Sequence, residues 1–568
     1  MTDIETCRDH ILSEDYRDFI GNDIRTPFFE SLLTDDRCEQ DAGFGYRCLY
    51  LPKELADPVS LSYYSYNSIP KCYSPFSLSS LNQAGILPVQ NYPTLTLRGK
   101  GVLIGFMDSG IDYTHEVFRN PDGTTRIAAI WDQTIQTGLP PEGFSYGTEY
   151  SPDEINAALR SDSPSSVLPS FDETGHGTYA ASLAAGSGNA EEEFLGAAPE
   201  ASIAMVKLKQ AKQYLRNYYY IPDSAVCYQE TDLLLGLRYL NELADRLGLP
   251  LVVCITSGTS MGGHVGTMPY SYCLDRYSSL ASHITVIGTG NEADRRHHYS
   301  NTIQSPSDIR TVEIRVGENV SGFFLELWAD IPNILSISVT SPSGENTSRI
   351  PFRAGASAEI DFLFEKTKMT VDYRLIVEKA TSELIFFRFS DPAPGIWKIN
   401  VEPLSVIDGE FHMWLPVTEF LSGEVVFLEP NPDSTLTNPA STDSPVIVSY
   451  YNGNTEGTAQ SSGRGYTRTG RKNPNLTAPG IDIKGAAPGG RFTVQSGSCA
   501  AAAITSGAVA LMLEWLLYDQ NIPGIDSYQI KSLLILGAVR PRIMEYPNRE
   551  WGYGQLNLYN TFETMRQL

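Results

Sequence analysis

The sequence predicts an α/β protein built on a parallel sheet, interrupted by an all-β insertion and preceded by a small mixed region. Three observations carry that expectation. The runs Gly101–Met107, Ile203–Leu208, Leu251–Ile255 and Ile284–Gly288 are short and almost wholly apolar. Such runs fit strands buried on both faces, as in a parallel sheet. Helical segments lie between them, at Thr178–Gly186 and at Thr231–Leu247. The second carries an apolar stripe of Leu233, Leu234, Leu237, Leu240, Leu243 and Ala244, the mark of a helix with one face on a core. From about residue 308 the texture changes to alternating short runs with turn residues between them and no helical periodicity.

At 568 residues the chain is too long for one ordinary domain. The expected division is a prodomain-like region at 1–95, a first α/β part at 96–307, an inserted β-sandwich or jelly roll at 308–438, and a second α/β part at 439–568. In the first region Asp9–Phe19 reads as an acidic helix and Tyr46–Leu51 as a strand, with turns around Pro70, Pro75 and Pro88. The insertion carries strand-like runs at Thr311–Val316, Phe323–Trp328, Leu335–Val339, Met369–Val377, Leu384–Phe389 and Trp397–Val401. The segment Cys499–Tyr518 is apolar but contains Ser506, Gly507 and Glu514, so a buried core helix is expected rather than a membrane span.

Composition narrows the function classes. Hydrophobic residues make up 42% of the chain, and its formal net charge is −25. That surface repels nucleic acid and anionic membranes, so neither is an expected partner. The eight cysteines include no C-x-x-C pair, which argues against zinc and thioredoxin-like chemistry and for mostly reduced thiols. No cofactor and no metal site are expected: His115 near Asp112 has no ligand spacing, and His297 and His298 after Arg295-Arg296 read as a solvated loop. Residues 1–7 have neither a basic run nor an apolar stretch, and no signal peptide is read there.

The chemistry-bearing motifs come in a fixed order. Asp108 ends the first apolar strand, where open α/β sheets place their sites. His176 lies between two glycines at the start of a small-residue helix. Asn291 follows another strand in Gly288-Thr289-Gly290-Asn291. Cys499 opens an apolar helix within Ser496-Gly497-Ser498-Cys499-Ala500. A carboxylate that orients an imidazole, an imidazole that takes the nucleophile's proton, and an amide facing the developing oxyanion form the acyl-transfer set. A helix N-terminus and a nearby imidazolium both lower a thiol pKa, so a thiolate–imidazolium pair between Cys499 and His176 is expected. Ser498 is the adjacent hydroxyl, one residue before the motif position.

These blocks resemble the subtilisin-like serine proteases, or subtilases. The resemblance rests on Gly105-Phe106-Met107-Asp108-Ser109-Gly110, Gly175-His176-Gly177-Thr178, Gly290-Asn291-Glu292, Thr477-Ala478-Pro479-Gly480 and Gly497-Ser498-Cys499-Ala500. The run Ile130-Trp131-Asp132-Gln133-Thr134, the stretch 138–143 and the β insertion are similar to the Csp-like group of clostridia. The resemblance implies a subtilisin-like fold, a triad of Asp108, His176 and Cys499, an oxyanion hole at Asn291, and substrate pairing along Thr256-Ser257-Gly258. It also implies a prodomain that the enzyme cuts from itself, a peptide or protein substrate, and a spore-associated or cytoplasmic setting in a bacterium. The departure is cysteine where subtilases carry serine. A pseudoprotease that binds rather than cuts, and a thiol acyl-transferase, stay open beside the endopeptidase.

Overall fold

The computed structural model describes residues 4–22, 38–75, 82–91, 96–350, 355, 357–375, 377 and 381–567. The N-terminal region holds helix α1 (Ile4–Leu12) and an antiparallel sheet of β1 (Tyr16–Asn22), β2 (Cys38–Gly43) and β3 (Tyr46–Pro52), with β3 in the middle. The helix expected through Phe19 therefore stops at Leu12, and Phe19 and Ile20 are buried strand residues paired with Leu49 and Cys48. Pairing with β3 overrides the local helical pattern, as tertiary context often does. Cys7 and Cys38 form a disulfide, and the other six cysteines are buried and outside any disulfide among the described residues. After β4 (Cys72–Pro75) the chain enters the central unit.

The central unit contains β5 (Leu103–Asp108), β6 (Ile127–Asp132), β7 (Thr148–Tyr150), helix α2 (His176–Ala185), β8 (Ser202–Lys207) and β9 (Tyr228–Gln229). Helix α3 (Glu230–Leu247), β10 (Leu251–Ile255), β11 (Ser257–Gly258) and β12 (His283–Gly288) follow. Past the insertion come β13 (Val446–Asn452), β14 (Leu476–Pro479) and helix α4 (Ser498–Glu514). The main sheet runs β13-β12-β10-β5-β8-β6-β7, with β14 beside β13 and a short antiparallel strand, Gly457–Thr458, at the β13 edge. Every pair from β14 through to β6 is parallel, and β7 alone closes the other edge antiparallel. All six residues of β5 and all five of β10 are buried, as the apolar runs predict for a sheet covered on both faces.

One face is covered by α2 and α4, the other by α3 and the N-terminal region. Helix α4 is buried from Ser498 through Leu513. A helix apolar all round belongs inside a core, and here it packs on α2, β10, β12 and β13. Gly507 makes that packing close: a Cβ there would sit 2.3 Å from the Ala197 Cβ and 2.7 Å from the Ala184 carbonyl oxygen.

Between β12 and β13 the chain builds two antiparallel sheets packed face to face. The six-stranded sheet runs His298–Thr302, Glu410–Trp414, Gly322–Asp330, Ser382–Ser390, Lys368–Arg374, Ser357–Asp361. The four-stranded sheet runs Ile334–Thr340, Gly395–Ser405, Arg310–Val316, Val425–Phe427. Alternating residues such as Val312, Ile314, Leu325, Leu327, Phe387 and Trp397 fill the space between them. His297 and His298 are buried, contrary to the solvated loop expected for them. His297 pairs with Glu292 at 2.8 Å, and His298 stacks on Trp414 and meets His412 at 3.0 Å. The insertion folding back on the central unit takes them out of water. Glu326 joins all three regions: it accepts from Tyr66 Oη at 2.6 Å, the Gly262 N–H at 2.8 Å and Trp328 Nε1 at 2.9 Å.

Candidate active site

Asp108 is the last residue of β5 and is almost completely buried. His176 is the first residue of α2. The two meet at the C-terminal edge of the sheet: His176 Nδ1 lies 2.7 Å from Asp108 Oδ1 and 2.8 Å from Oδ2. Gly177 lets α2 approach this strand end, since a Cβ there would lie 2.2 Å from the Gly110 carbonyl oxygen and 3.1 Å from the Asp108 Cβ. Thr256 Oγ1 donates to Asp108 Oδ2 at 2.6 Å, and the Ser109 N–H to Oδ1 at 2.7 Å. Burial pushes the Asp108 carboxyl up, but the neighbouring His176 and the Thr256 and Ser109 donors outweigh it and hold the carboxyl below its ordinary range. The carboxylate is thus charged and fixed against the imidazole.

Cys499 is the second residue of α4 and is completely buried. Helices α2 and α4 pack on each other, and both begin at this edge of the sheet. Burial drives the Cys499 thiol well above its ordinary pKa, and the Asp108 carboxylate and the Cys254 thiol push it the same way. This corrects the thiolate–imidazolium pair expected from the sequence. The sulfur is buried near the Asp108 carboxylate, and both favour the neutral thiol over the thiolate.

Asn291 and Ser498 lock together. The Ser498 N–H donates to Asn291 Oδ1 at 3.1 Å, and Ser498 Oγ accepts from the Gly290 N–H at 3.1 Å. Holding the amide oxygen in this way orients its NH2 group and leaves it available as a donor. Ser498 is engaged with the Gly290 backbone and fully buried, so its hydroxyl braces the Asn291 loop.

Thr256, Ser257 and Gly258 divide their work. Thr256 bonds Asp108, whereas Ser257 and Gly258 form β11 and pair antiparallel with Pro75 and Ser74 of β4. On its other side β4 pairs antiparallel with β9, Cys72 with Gln229 and Tyr73 with Tyr228. The chain's own segment thus lies as the middle strand of a three-stranded sheet whose outer strands belong to the central unit. The pairing of β9 with β4 was not legible in the sequence, because a two-residue strand has no periodicity. Asp172, four residues before His176, was also missed; an acceptor side chain just ahead of a helix start is the signal that would have found it.

The subtilase family profile matches residues 99–224 and 422–554, the two stretches that carry Asp108, His176 and Cys499. The chain belongs to the subtilase family. The structure of the Clostridium perfringens CspB protease superposes on this subtilase with a TM-score of 0.76 at 29% identity, covering 86% of this chain and 99% of that one. The subtilisin-like protease SBT2.1 of Arabidopsis thaliana is 33% identical over 131 residues, 19% of this chain. The match spans 15% of the length of that plant relative.

Proposed function

We propose that this subtilase is an endopeptidase lineage member that cuts its own N-terminal region, with Asp108, His176 and Cys499 as its triad and Asn291 as an oxyanion donor. One observation carries the reading: Cys72–Pro75 lies extended between β11 and β9, beside the Asp108–His176 pair. An extended segment held by backbone pairing on both sides is how a protease cleft presents a peptide bond. The N-terminal region then serves as prodomain and as first substrate, and the cut falls C-terminal to Pro75.

In the reaction His176 Nε2 takes the Cys499 S–H proton as sulfur attacks the scissile carbonyl carbon. The oxyanion is met by the Asn291 amide and the Cys499 backbone N–H at the start of α4. Collapse expels the amine, which leaves with the proton from His176, and a thioester remains on Cys499. Water, deprotonated by His176, then releases the acid. Asp108 holds the imidazole tautomer and stabilises the imidazolium throughout. The neutral, buried thiol makes the first step slow in this chain, and a serine in its place restores the family's hydroxyl.

The same thiol favours a second reading, a pseudoprotease that keeps the fold and the filled cleft without turnover. Intact mass after expression of the chain and of Cys499→Ser separates the two. The endopeptidase reading expects the serine form to shed an N-terminal fragment ending a few residues beyond Pro75 and to react with a fluorophosphonate. A serine form that stays full-length and unlabelled supports the pseudoprotease.

A further inference from the structure

The Asp108 loop and the His176 helix come from segments more than sixty residues apart, and one buried carboxylate joins them. Asp172 is completely buried. Its Oδ1 accepts from Ser109 Oγ at 2.7 Å, from the Gly175 N–H at 2.8 Å and from Thr174 Oγ1 at 3.5 Å. Its Oδ2 accepts from the Thr178 N–H at 2.8 Å and from Thr178 Oγ1 at 2.7 Å. The connection is closed twice more: Ser109 Oγ accepts from the Gly177 N–H at 3.0 Å, and Thr178 Oγ1 accepts from the Asp112 N–H at 2.9 Å. Ser109 directly follows Asp108, while Gly175 and Gly177 flank His176.

We propose that Asp172 is the positioning residue of the site, the group that sets His176 against Asp108; the catalytic part of this inference rests on the endopeptidase reading above. A carboxylate is an acceptor-only group with room for several donors, and donors from both segments converge on it here. Its charge also lies at the first turn of α2, where a negative charge is favoured. An amide cannot replace it, because its NH2 would face N–H and O–H groups that are themselves donors. With the carboxylate gone, the start of α2 keeps only the weaker Ser109 and Thr178 bonds to the β5 loop, and His176 shifts. A displacement of ~1 Å in such a constellation costs ~100-fold in rate.

The test uses Asp172→Asn and Ser109→Ala, each in the intact chain and in the Cys499→Ser form. In the serine form, turnover of a p-nitroanilide peptide with the sequence of residues 73–76, Tyr-Ser-Pro-Phe, is expected to lose about 10- to 100-fold in kcat with KM within about twofold. In the intact Cys499 chain, the low-field proton resonance of the His176–Asp108 hydrogen bond is expected to shift or broaden in both variants. A merely structural role would lower the thermal midpoint and leave that resonance in place. Unchanged resonance in folded variants, or unchanged kcat in an active serine form, overturns the inference. If Asp172→Asn fails to fold, Ser109→Ala decides, since it removes the direct Asp172–Ser109 and Gly177–Ser109 bonds and leaves the carboxylate on the helix. If the serine form cleaves nothing, the endopeptidase reading falls, and the resonance alone decides the placement of His176.

Discussion

Asp18 on β1 is the sharpest place to test how the N-terminal region is held. It is completely buried, and it accepts from Lys212 Nζ at 2.5 Å and from Gln229 Nε2 at 2.5 Å. Lys212 is itself almost fully buried, and burial pulls its ammonium below the ordinary lysine range despite the pull of Asp18 in the other direction. Asp18→Ala takes away the carboxylate bonded to that buried ammonium and leaves it against the His10 and Tyr16 carbonyls at 3.2 and 3.4 Å and the Tyr50 ring. Breaking a buried pair from one side costs about 3–5 kcal/mol. At about 1.4 kcal/mol per factor of ten, the N-terminal fragment should bind the remainder roughly two to four orders of magnitude more weakly. The assay is dissociation of two co-expressed polypeptides, residues 1–76 and 77–568, followed by native mass spectrometry on dilution. The double variant Asp18→Ala/Lys212→Met is the decisive control. Removing both charges removes the desolvated orphan, so the double variant should bind more tightly than Asp18→Ala alone. A single variant within threefold of the parent, or a double variant no tighter than the single, would refute the reasoning.

Other perturbations act closer to the chemistry. In the Cys499→Ser form, Asn291→Ala should lower kcat about 10²- to 10³-fold with KM little changed, read by steady-state kinetics. Thr256→Val removes the 2.6 Å donor to Asp108; the Asp108 carboxyl then rises, and the acid limb of the pH–kcat profile should move to higher pH. Within the insertion, burial pushes the Glu383 carboxyl up to about 8, only partly offset by the Leu335 N–H. A carboxyl raised in the folded state contributes its stability at low pH and loses it as pH climbs from the ordinary glutamate range through about 8. Glu383→Gln should therefore match the parent's thermal midpoint at pH 4 and exceed it at pH 9, followed by tryptophan fluorescence.

What the sequence disclosed about this site follows the range of each interaction. Asp108, His176 and Asn291 were legible because each sits at the end of a locally defined strand or the start of a helix, where residue type and spacing suffice. The alternating runs of the insertion announced its sheets, but Ser357–Asp361 and Glu410–Trp414 escaped, since each is short and leans on partners far along the chain. The protonation of Cys499 was misjudged for a related reason. A helix terminus is visible in the sequence, whereas the burial that overrides it comes from long-range packing such as the α2–α4 pair, with Asp108 and Cys254 adding to it electrostatically. Likewise nothing near Cys72 hints that it will lie against Gln229.

The interruption between β12 and β13 also has a consequence in time. Asp108 and His176 are synthesised early, but Cys499 lies more than three hundred residues after His176, beyond the whole insertion. At ~5–20 residues per second a ribosome needs on the order of half a minute to cover that distance. Throughout that interval the nascent chain carries Asp108 and His176 but not Cys499. On the endopeptidase reading, any cut therefore waits until Cys499 has been added, after every strand of the sandwich.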